Sequence, residues 1–161
     1  QMRQNRQGKI INISGGGAVP RPNFSAYTAS KAGVIYLTES LSREMWEFNI
    51  QVNAIAPGPV NTRMTEQVVE AGTAAGVEEL EAALRLLTED WPQPITAAEL
   101  AVFLASSDSD GITGKLISAV HDNWPAWPEH LDTLANTDLY TLRRLDPFTI
   151  GKLDFGSNLP L

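Results

Sequence analysis

Three short apolar runs are spread along the 161-residue chain, and longer helical patterns separate them. They cover residues 9–13, 50–56 and 115–120. Runs this short that are rich in β-branched residues and apolar on both faces are typical of strands buried within a parallel sheet. A helical pattern over residues 25–48 joins the first two strands and predicts a βαβ unit with a right-handed crossover.

Two of the predicted helices have distinct patterns. The segment over 65–90 is rich in Ala and Glu, is interrupted at Gly72 and Gly76, and presents its acidic side chains as a solvated face. The helix over 25–48 instead has its apolar positions near one stripe. The members of this stripe are Ala26, Ala29, Gly33, Leu37, Leu41 and Met45.

The end of the chain divides into a last helix, the third strand and an extension. Thr96 and Glu99 have the spacing of a capping box, which predicts a helix that begins there and ends near Ser106. Beyond the third strand the chain is rich in Trp, Pro and Asp. We therefore predict an α/β domain over 1–121 and an irregular C-terminal extension over 122–161 that packs on the domain or on a neighbouring subunit.

Composition narrows the class of protein. The length suits one globular domain, and the net charge of −7 argues against nucleic acid or an anionic membrane surface as the main partner. No apolar run approaches the roughly 18 residues that a membrane span needs, so no membrane partner is predicted. The chain has no Cys, which excludes disulfides and thiolate chemistry and fits a reducing compartment. We therefore predict a cytoplasmic location.

Tyr27 and Lys31 are the residue pair with the clearest chemistry. They are four residues apart on a predicted helix, so their side chains project from one face. The ammonium group favours the ionised phenol, and so does the helix dipole at the first turn, where Tyr27 lies. Because the ordinary phenol pKa is about 10, Lys31 would lower the Tyr27 pKa toward neutrality and make the phenol a general acid/base. The spacing alone is weak evidence for a catalytic pair, since two residues on the surface of any helix can have the same spacing.

Two further features lie where the carboxyl ends of parallel strands meet, which is where open α/β sheets bind their ligands. Ser14 follows the first strand, thirteen residues before Tyr27, so its hydroxyl could hold a substrate oxygen beside the phenol. The second strand is stopped by a Pro-Gly-Pro turn that starts at Pro57 and leads to Thr62. Such a turn lets the backbone and a Thr hydroxyl approach a ligand closely.

Ser14, the run Tyr27-Thr28-Ala29-Ser30-Lys31 and the segment 53–62 resemble, in this order and spacing, the short-chain dehydrogenase/reductase family. The resemblance covers residues 1–120. It implies an α/β fold, part of a Rossmann-like (doubly wound) parallel sheet with three strands and flanking helices. It also implies an oxidoreductase that transfers a hydride between NAD or NADP and a small alcohol or carbonyl substrate, with the choice of cofactor open.

The resemblance also implies roles for individual residues. Tyr27 would be the acid/base at the reacting oxygen, Lys31 would lower the Tyr27 pKa and bind the nicotinamide ribose, and Ser14 would orient the substrate. Many family members have two consecutive Ser residues where this chain has Ser14-Gly15, and the thirteen-residue offset selects Ser14. Both Tyr27 and Lys31 would touch the cofactor, and the residues expected to flank its nicotinamide are Pro57, Gly58, Val60 and Thr62.

The sequence departs from the family at the dinucleotide fingerprint. The run Gly15-Gly16-Gly17 lacks the G-x-G-x-x-G spacing, and the family's Asn-Asn-Ala-Gly stretch and the helix with its fourth catalytic residue, an Asn, are missing. The chain therefore looks like the C-terminal half of a longer family member. It would then be an incomplete fragment whose first strand lacks the strand that pairs with its outer edge. We expect these residues alone to bind neither NADH nor NADPH tightly and to be inactive; micromolar binding in calorimetry would refute this.

Other functions remain open at this point. The chain could instead be a non-catalytic interaction module, folded by pairing with a partner protein that supplies the missing strands. His121 and His130, with their acidic neighbours, match no metal-ligand spacing, so no metal site is predicted. Because family members usually associate through the helix with the Tyr and Lys residues and through the region of the last strand, the resemblance implies a homo-oligomer, a dimer or a tetramer, for the full-length protein.

Overall fold

The computed structural model describes residues 1–15, 19–88 and 94–144 of the chain. Three strands form one parallel sheet in the order β1-β2-β3: β1 (Gly8–Ile13), β2 (Ile50–Ala56) and β3 (Leu116–Ser118). The helices are α1 (Met2–Asn5), α2 (Ser25–Met45), α3 (Arg63–Ala71), α4 (Val77–Thr88), α5 (Ile95–Ala105) and α6 (Leu131–Asn136), with 3-10 turns at Trp46–Phe48, Gly72–Ala75, Ser107–Ser109 and Trp124–His130. The predicted parallel sheet with flanking helices is confirmed.

The central strand, β2, aligns the carboxyl ends of the sheet. Its apolar side chains from Ile50 to Ile55 are buried, as expected for a strand with a neighbour on each side, and Ala56 at its end is half-buried. Ile13 at the end of β1 pairs with Ile55, and Ser118 at the end of β3 pairs with Ala56. The three strands therefore end at one edge of the sheet. In the described part of the chain no helix has the length and hydropathy to cross a bilayer.

The face of α2 that is buried is not the predicted apolar stripe. Ala26, Ala29, Gly33 and Leu37 of that stripe are exposed, Leu37 by 53%. The buried positions include small hydroxyl residues whose protons go to carbonyls of the same helix. Thr38 donates to the Val34 carbonyl at 2.8 Å and accepts from the Asn12 amide at 2.9 Å, so its burial leaves no polar atom unpaired. The buried residues of α2 are Ile35, Thr38, Glu39 and Ser42.

The predicted capping box at Thr96 and Glu99 is wrong. The helix begins one residue earlier, at Ile95, with Pro94 as the N-cap residue and no side-chain cap bond. The ring of Pro94 holds φ at −57°, a value already suited to a helix start, so Thr96 lies within the first turn. The interruption predicted between the two helices of segment 65–90 is present as the 3-10 turn, whereas residues 89–90 lie outside the described residues.

The C-terminal extension contributes to the same hydrophobic core as the sheet. Trp127 and Leu134 are each 4% exposed, and they pack with side chains of β2, α5 and β3. The Trp127 and Tyr140 rings have centroids 4.4 Å apart, and the Trp124 indole donates to the Ala119 carbonyl at 3.3 Å. Residues 122–144 are therefore packed on the domain by aromatic side chains, and 145–161 lie outside the described residues.

Residues 137–143, called here the C-terminal strap, run beside the outer edge of β3. The backbone amide of Leu116 donates to the Tyr140 carbonyl at 2.8 Å. The next amide on the same side, that of Ser118, donates to the Asp122 carboxylate at 2.7 Å. In a parallel strand alternate residues face one neighbour, so these two amides face away from β2. The chain itself therefore occupies the outer edge of its last strand.

Charged side chains fix the strap to α2 and to β3. The Glu39 carboxylate, on α2, accepts from the Leu142 amide at 2.9 Å and from the Arg143 guanidinium. The hydrogen bond to Glu39 raises the pKa of the Arg143 guanidinium, and the hydrogen bond to Asp138 contributes in the same direction. The Lys115 ammonium, directly before β3, donates to the carbonyls of Thr137 and Leu139 at 3.1 and 3.0 Å, respectively, and so binds the first half of the strap.

Lys115 should give the fold a pH dependence of definite sign. Burial lowers its pKa below the ordinary 10.5, and the Asp138 charge opposes the shift only partly. Between the lowered pKa and 10.5 the unfolded chain holds a proton that the folded chain has released, so the free energy of unfolding should rise with pH. Urea unfolding from about pH 8 to about pH 11 measures this rise, which should be smaller in Lys115→Met. Equal slopes in the two proteins would contradict the prediction.

Candidate active site

Ser14, Tyr27 and Lys31 lie together where β1 ends beneath the first turns of α2. The Lys31 ammonium donates to the Ile13 carbonyl at 3.3 Å, which holds it at the end of the strand. The same ammonium is 5.8 Å from the centroid of the Tyr27 ring. Tyr27 is the third residue of α2, in the first turn. The helix spacing that predicted a phenol beside an ammonium therefore produces one.

The Tyr27 hydroxyl lies against Gly15. A Cβ atom added to Gly15 would stand 2.9 Å from the phenol oxygen, closer than real Cβ atoms come to any neighbour. Gly15 also has φ +146°, a backbone conformation that residues with a side chain rarely adopt. Sequence reasoning gave Gly15 no part in the site, and the only signal for it is its place directly after Ser14. Gly16 and Gly17 lie outside the described residues.

Ser14 is placed differently from the two helical residues. It is only 2% exposed, and its backbone amide donates to the Ile55 carbonyl at 2.8 Å, extending the pairing of β1 with β2. Its hydroxyl donates to the Lys31 carbonyl at 3.1 Å. Because a hydroxyl has one proton, Ser14 in this arrangement offers other groups only its oxygen lone pairs.

The segment 57–62 leaves the sheet at the same edge, directly after β2. Its shape is held by α3, because the Thr65 hydroxyl donates to the Val60 carbonyl and accepts from the Thr62 amide, both at 3.3 Å. Pro57, Gly58 and Val60 are half-buried, whereas Thr62 is exposed. The register of β1 with β2 puts this segment next to the end of β1, and the segment presents an exposed Thr there.

Gly58 should be intolerant of any side chain. Its φ is +83°, and a Cβ would meet the two methyl groups of Val120 at 3.0 and 3.2 Å. We expect Gly58→Ala to lower the free energy of unfolding by about 1–3 kcal/mol through backbone strain and crowding. Gly33→Ala is the matched control, because nothing lies within 4 Å of its Cβ position on α2.

Chemical denaturation of both variants measures the difference. The control should gain about 0.5–1 kcal/mol, since Ala is the better helix former. A Gly58→Ala variant as stable as the parent protein would show that this turn relaxes without cost.

No cluster of three or more His, Asp or Glu side chains in the described ranges could hold a metal ion. Asp122, one of the acidic residues beside His121, has its carboxylate engaged by the Ser118 amide. The residues around His121 therefore cap the sheet in this structure.

Comparison with known proteins identifies the family. The sequence profile described as enoyl-(acyl carrier protein) reductase matches residues 1–120, which include every residue of the candidate site. The 3-oxoacyl-(acyl-carrier-protein) reductase FabG of Thermotoga maritima is 36% identical over 117 residues, which cover 72% of this chain and 45% of that protein. The chain spans about half the length of the curated relatives it matches.

Solved structures show the same fold. NAD+-bound xylitol dehydrogenase is 28% identical, with a TM-score of 0.64 over 73% of this chain and 50% of that one. A gluconate 5-dehydrogenase from Burkholderia cenocepacia J2315, in complex with NADP and tartrate, is also 28% identical, with a TM-score of 0.60 over 73% of this chain and 45% of that one. Together with the profile match and the arrangement of β1, α2 and β2, these similarities show that the chain belongs to the short-chain dehydrogenase/reductase family.

Proposed function

We propose that this chain forms the proton-transfer and nicotinamide-binding part of an NAD- or NADP-dependent oxidoreductase that interconverts an alcohol and a carbonyl compound. One observation supports the proposal above others. The Tyr27 hydroxyl stands at the carboxyl edge of a parallel sheet, against a residue without a side chain, with the Lys31 ammonium beside the same ring. This is a general acid/base at the edge where such sheets bind ligands.

In the proposed reaction Tyr27 handles the proton. In the reducing direction its hydroxyl donates to the oxygen of the carbonyl group, and in the oxidising direction the phenolate takes the proton from the alcohol. The Lys31 ammonium, held in place by the Ile13 carbonyl, lies 5.8 Å from the centroid of the Tyr27 ring, so in the proposed reaction its positive charge is near the negative charge that develops on the phenol. Because donor and acceptor are fixed before the substrate arrives, little reorganisation is needed when charge develops.

The residues at this edge fit a nicotinamide nucleotide. An ammonium has three N–H donors, and the bond to Ile13 uses one of them, which leaves Lys31 with donors for ribose hydroxyls. Thr62 is exposed at the start of α3, on a segment whose backbone is held by Thr65, and its hydroxyl proton can be donated to an amide or phosphate oxygen. When bound, the nicotinamide supplies or accepts the hydride. Pro57, Gly58 and Val60 would line its other side.

The role expected of Ser14 has a structural condition. To orient a carbonyl oxygen by donating to it, the Ser14 hydroxyl must first leave the Lys31 carbonyl. While that hydrogen bond is in place, the Ser14 hydroxyl cannot donate to a ketone.

The substrate class follows from what the similar proteins share. The similar proteins are named a 3-oxoacyl-(acyl-carrier-protein) reductase, a xylitol dehydrogenase and a gluconate 5-dehydrogenase, and each name joins a carbonyl or hydroxyl compound to a reduction or an oxidation, so we propose a small alcohol or carbonyl substrate here. We also propose a homo-oligomer for the full-length protein, formed in part by the exposed apolar stripe of α2, on which Leu37 is 53% exposed. The absence of Cys supports a cytoplasmic location.

Turnover by the full-length protein is the test. Oxidation of a panel of alcohols and reduction of the matching carbonyls are followed by nicotinamide absorbance with both cofactors. Activity with at least one pair, lost in Tyr27→Phe, supports the proposal. A folded full-length protein that binds neither cofactor would instead favour the non-catalytic interaction module.

A further inference from the structure

We propose that the work expected of one serine at the end of β1 is divided between two positioning residues: Ser14 fixes Lys31, and Gly15 sets the position of the Tyr27 hydroxyl. The inference rests on the proposed function for its kinetic consequences, but its geometry stands on contacts alone. It assigns Gly15 to the site and moves Ser14 away from direct contact with the substrate.

Two hydrogen bonds that run in opposite directions join the end of β1 to Lys31, one from Ser14 and one to Ile13. The Ser14 hydroxyl donates to the Lys31 carbonyl at 3.1 Å, and the Lys31 ammonium donates back to the carbonyl of Ile13, one residue before Ser14, at 3.3 Å. One bond fixes the backbone of Lys31 on α2, and the other fixes its charged end. Since Ser14 is 2% exposed, its contacts are with the protein and not with a ligand in solution.

Gly15 faces the phenol that Ser14 was expected to face. Ser14 and Gly15 follow directly after β1, and the side chain of Ser14 and the Cβ position of Gly15 point in different directions. The divergence is visible in the contacts, because Ser14 reaches the helix backbone whereas the Cβ position of Gly15 lies 2.9 Å from the Tyr27 hydroxyl oxygen. Any residue with a Cβ would therefore displace that oxygen.

The two positions control different halves of the reaction. If Lys31 binds the nicotinamide ribose, loosening it by removing the Ser14 hydroxyl affects the cofactor. If the Tyr27 oxygen transfers the proton, displacing it by adding a Cβ at position 15 affects proton transfer. A serine that touched the substrate would instead affect the substrate.

Kinetics of the full-length protein with the best substrate pair separate these cases. Ser14→Ala should raise the KM for the nicotinamide cofactor about tenfold, the equivalent of one hydrogen bond, and leave the KM for the alcohol or carbonyl unchanged. Ser14→Thr, which keeps the donor, should restore most of the loss. Ser42→Ala is the matched control, because Ser42 is a buried serine on α2 whose hydroxyl also donates to a helix carbonyl, that of Glu39. It should leave both KM values unchanged.

Carbon-13 NMR of the substrate-free protein provides a readout that does not depend on turnover. In Ser14→Ala the Lys31 carbonyl resonance should shift because its extra hydrogen bond is lost, and Ser14→Thr should return it. In Gly15→Ala the ring resonances of Tyr27, assigned with Tyr27→Phe, should shift and kcat should fall about tenfold. Gly33→Ala, with open space around its Cβ, should change neither.

These measurements distinguish failure of the proposed function from failure of the positioning roles of Ser14 and Gly15. A Ser14→Ala variant with a raised KM for the alcohol or carbonyl, an unchanged KM for cofactor and an unchanged Lys31 carbonyl resonance would overturn the inference while the proposed function stands. Unchanged Tyr27 resonances in Gly15→Ala would overturn the part that concerns Gly15. If the resonances shift as expected but no substrate pair is turned over, the proposed function fails and the positioning contacts stand.

Discussion

Tyr27→Phe should lower kcat of the full-length protein about 1000-fold, within the range that general acid/base groups contribute. The change removes one oxygen and keeps the ring, so the packing of α2 on the end of β1 stays the same. Without the hydroxyl the reacting oxygen must exchange its proton with water, which has neither a fixed position nor the Lys31 ammonium beside it. Initial rates at saturating cofactor and substrate measure the effect.

Tyr36→Phe is the control for this prediction. Tyr36 lies on the same helix, is 53% exposed, and has Ser40 four residues further along where Tyr27 has Lys31. It should retain kcat within about twofold, as surface substitutions outside a site do. Equal activity of the two variants would remove Tyr27 from the reaction.

Trp127→Ala should lower the free energy of unfolding by about 3–5 kcal/mol, the usual result of emptying a large aromatic site in a core. The Trp127 side chain is 4% exposed, packs in the cluster formed by β2, α5 and β3, and contacts the Tyr140 ring at 4.4 Å between centroids. Because Tyr140 belongs to the strap, the cavity would also loosen the cover on β3. Urea unfolding of the full 161-residue chain measures the loss.

Trp46→Ala tests whether that effect comes from burial. Trp46 follows α2 and is 63% exposed, so its removal should change the free energy of unfolding by no more than about 0.5 kcal/mol. A Trp127→Ala variant as stable as Trp46→Ala would show that residues beyond β3 are an appendage and not part of the core.

The sheet could be predicted from the sequence because each of its strands is a short apolar run with turn signals on both sides. The packed face of α2 could not be. Thr38 and Ser42 are polar by composition, and only the carbonyls that their hydroxyls reach make them suitable for burial. Composition predicted a C-terminal extension that packs on the domain or on a neighbouring subunit, but not which of its residues enter the core, since Trp127 does so through contacts distant in sequence and no periodic pattern marks it.

The candidate site also contains residues that could be predicted from the sequence and residues that could not. Tyr27 and Lys31 could be found because helical spacing alone puts them on one face. Ser14 was found as a residue but not as a contact, because the offset of thirteen residues does not say which way its hydroxyl points. Gly15 leaves no trace in sequence beyond its neighbour, since its importance lies in a φ of +146° and an absent Cβ.

The strap beside β3 has a consequence for how chains of this kind could aggregate. Edge strands with free amides recruit further strands, and a sheet with two such edges can grow without limit into fibrils. Here the outward amides of Leu116 and Ser118 are already satisfied within the chain, while β1, on the opposite border, has no second strand neighbour in the described residues. If two molecules paired through their β1 edges, the exposed edge of each would be β3, whose outward amides are already hydrogen-bonded. The combined sheet could not add further strands there, so association would stop at a dimer.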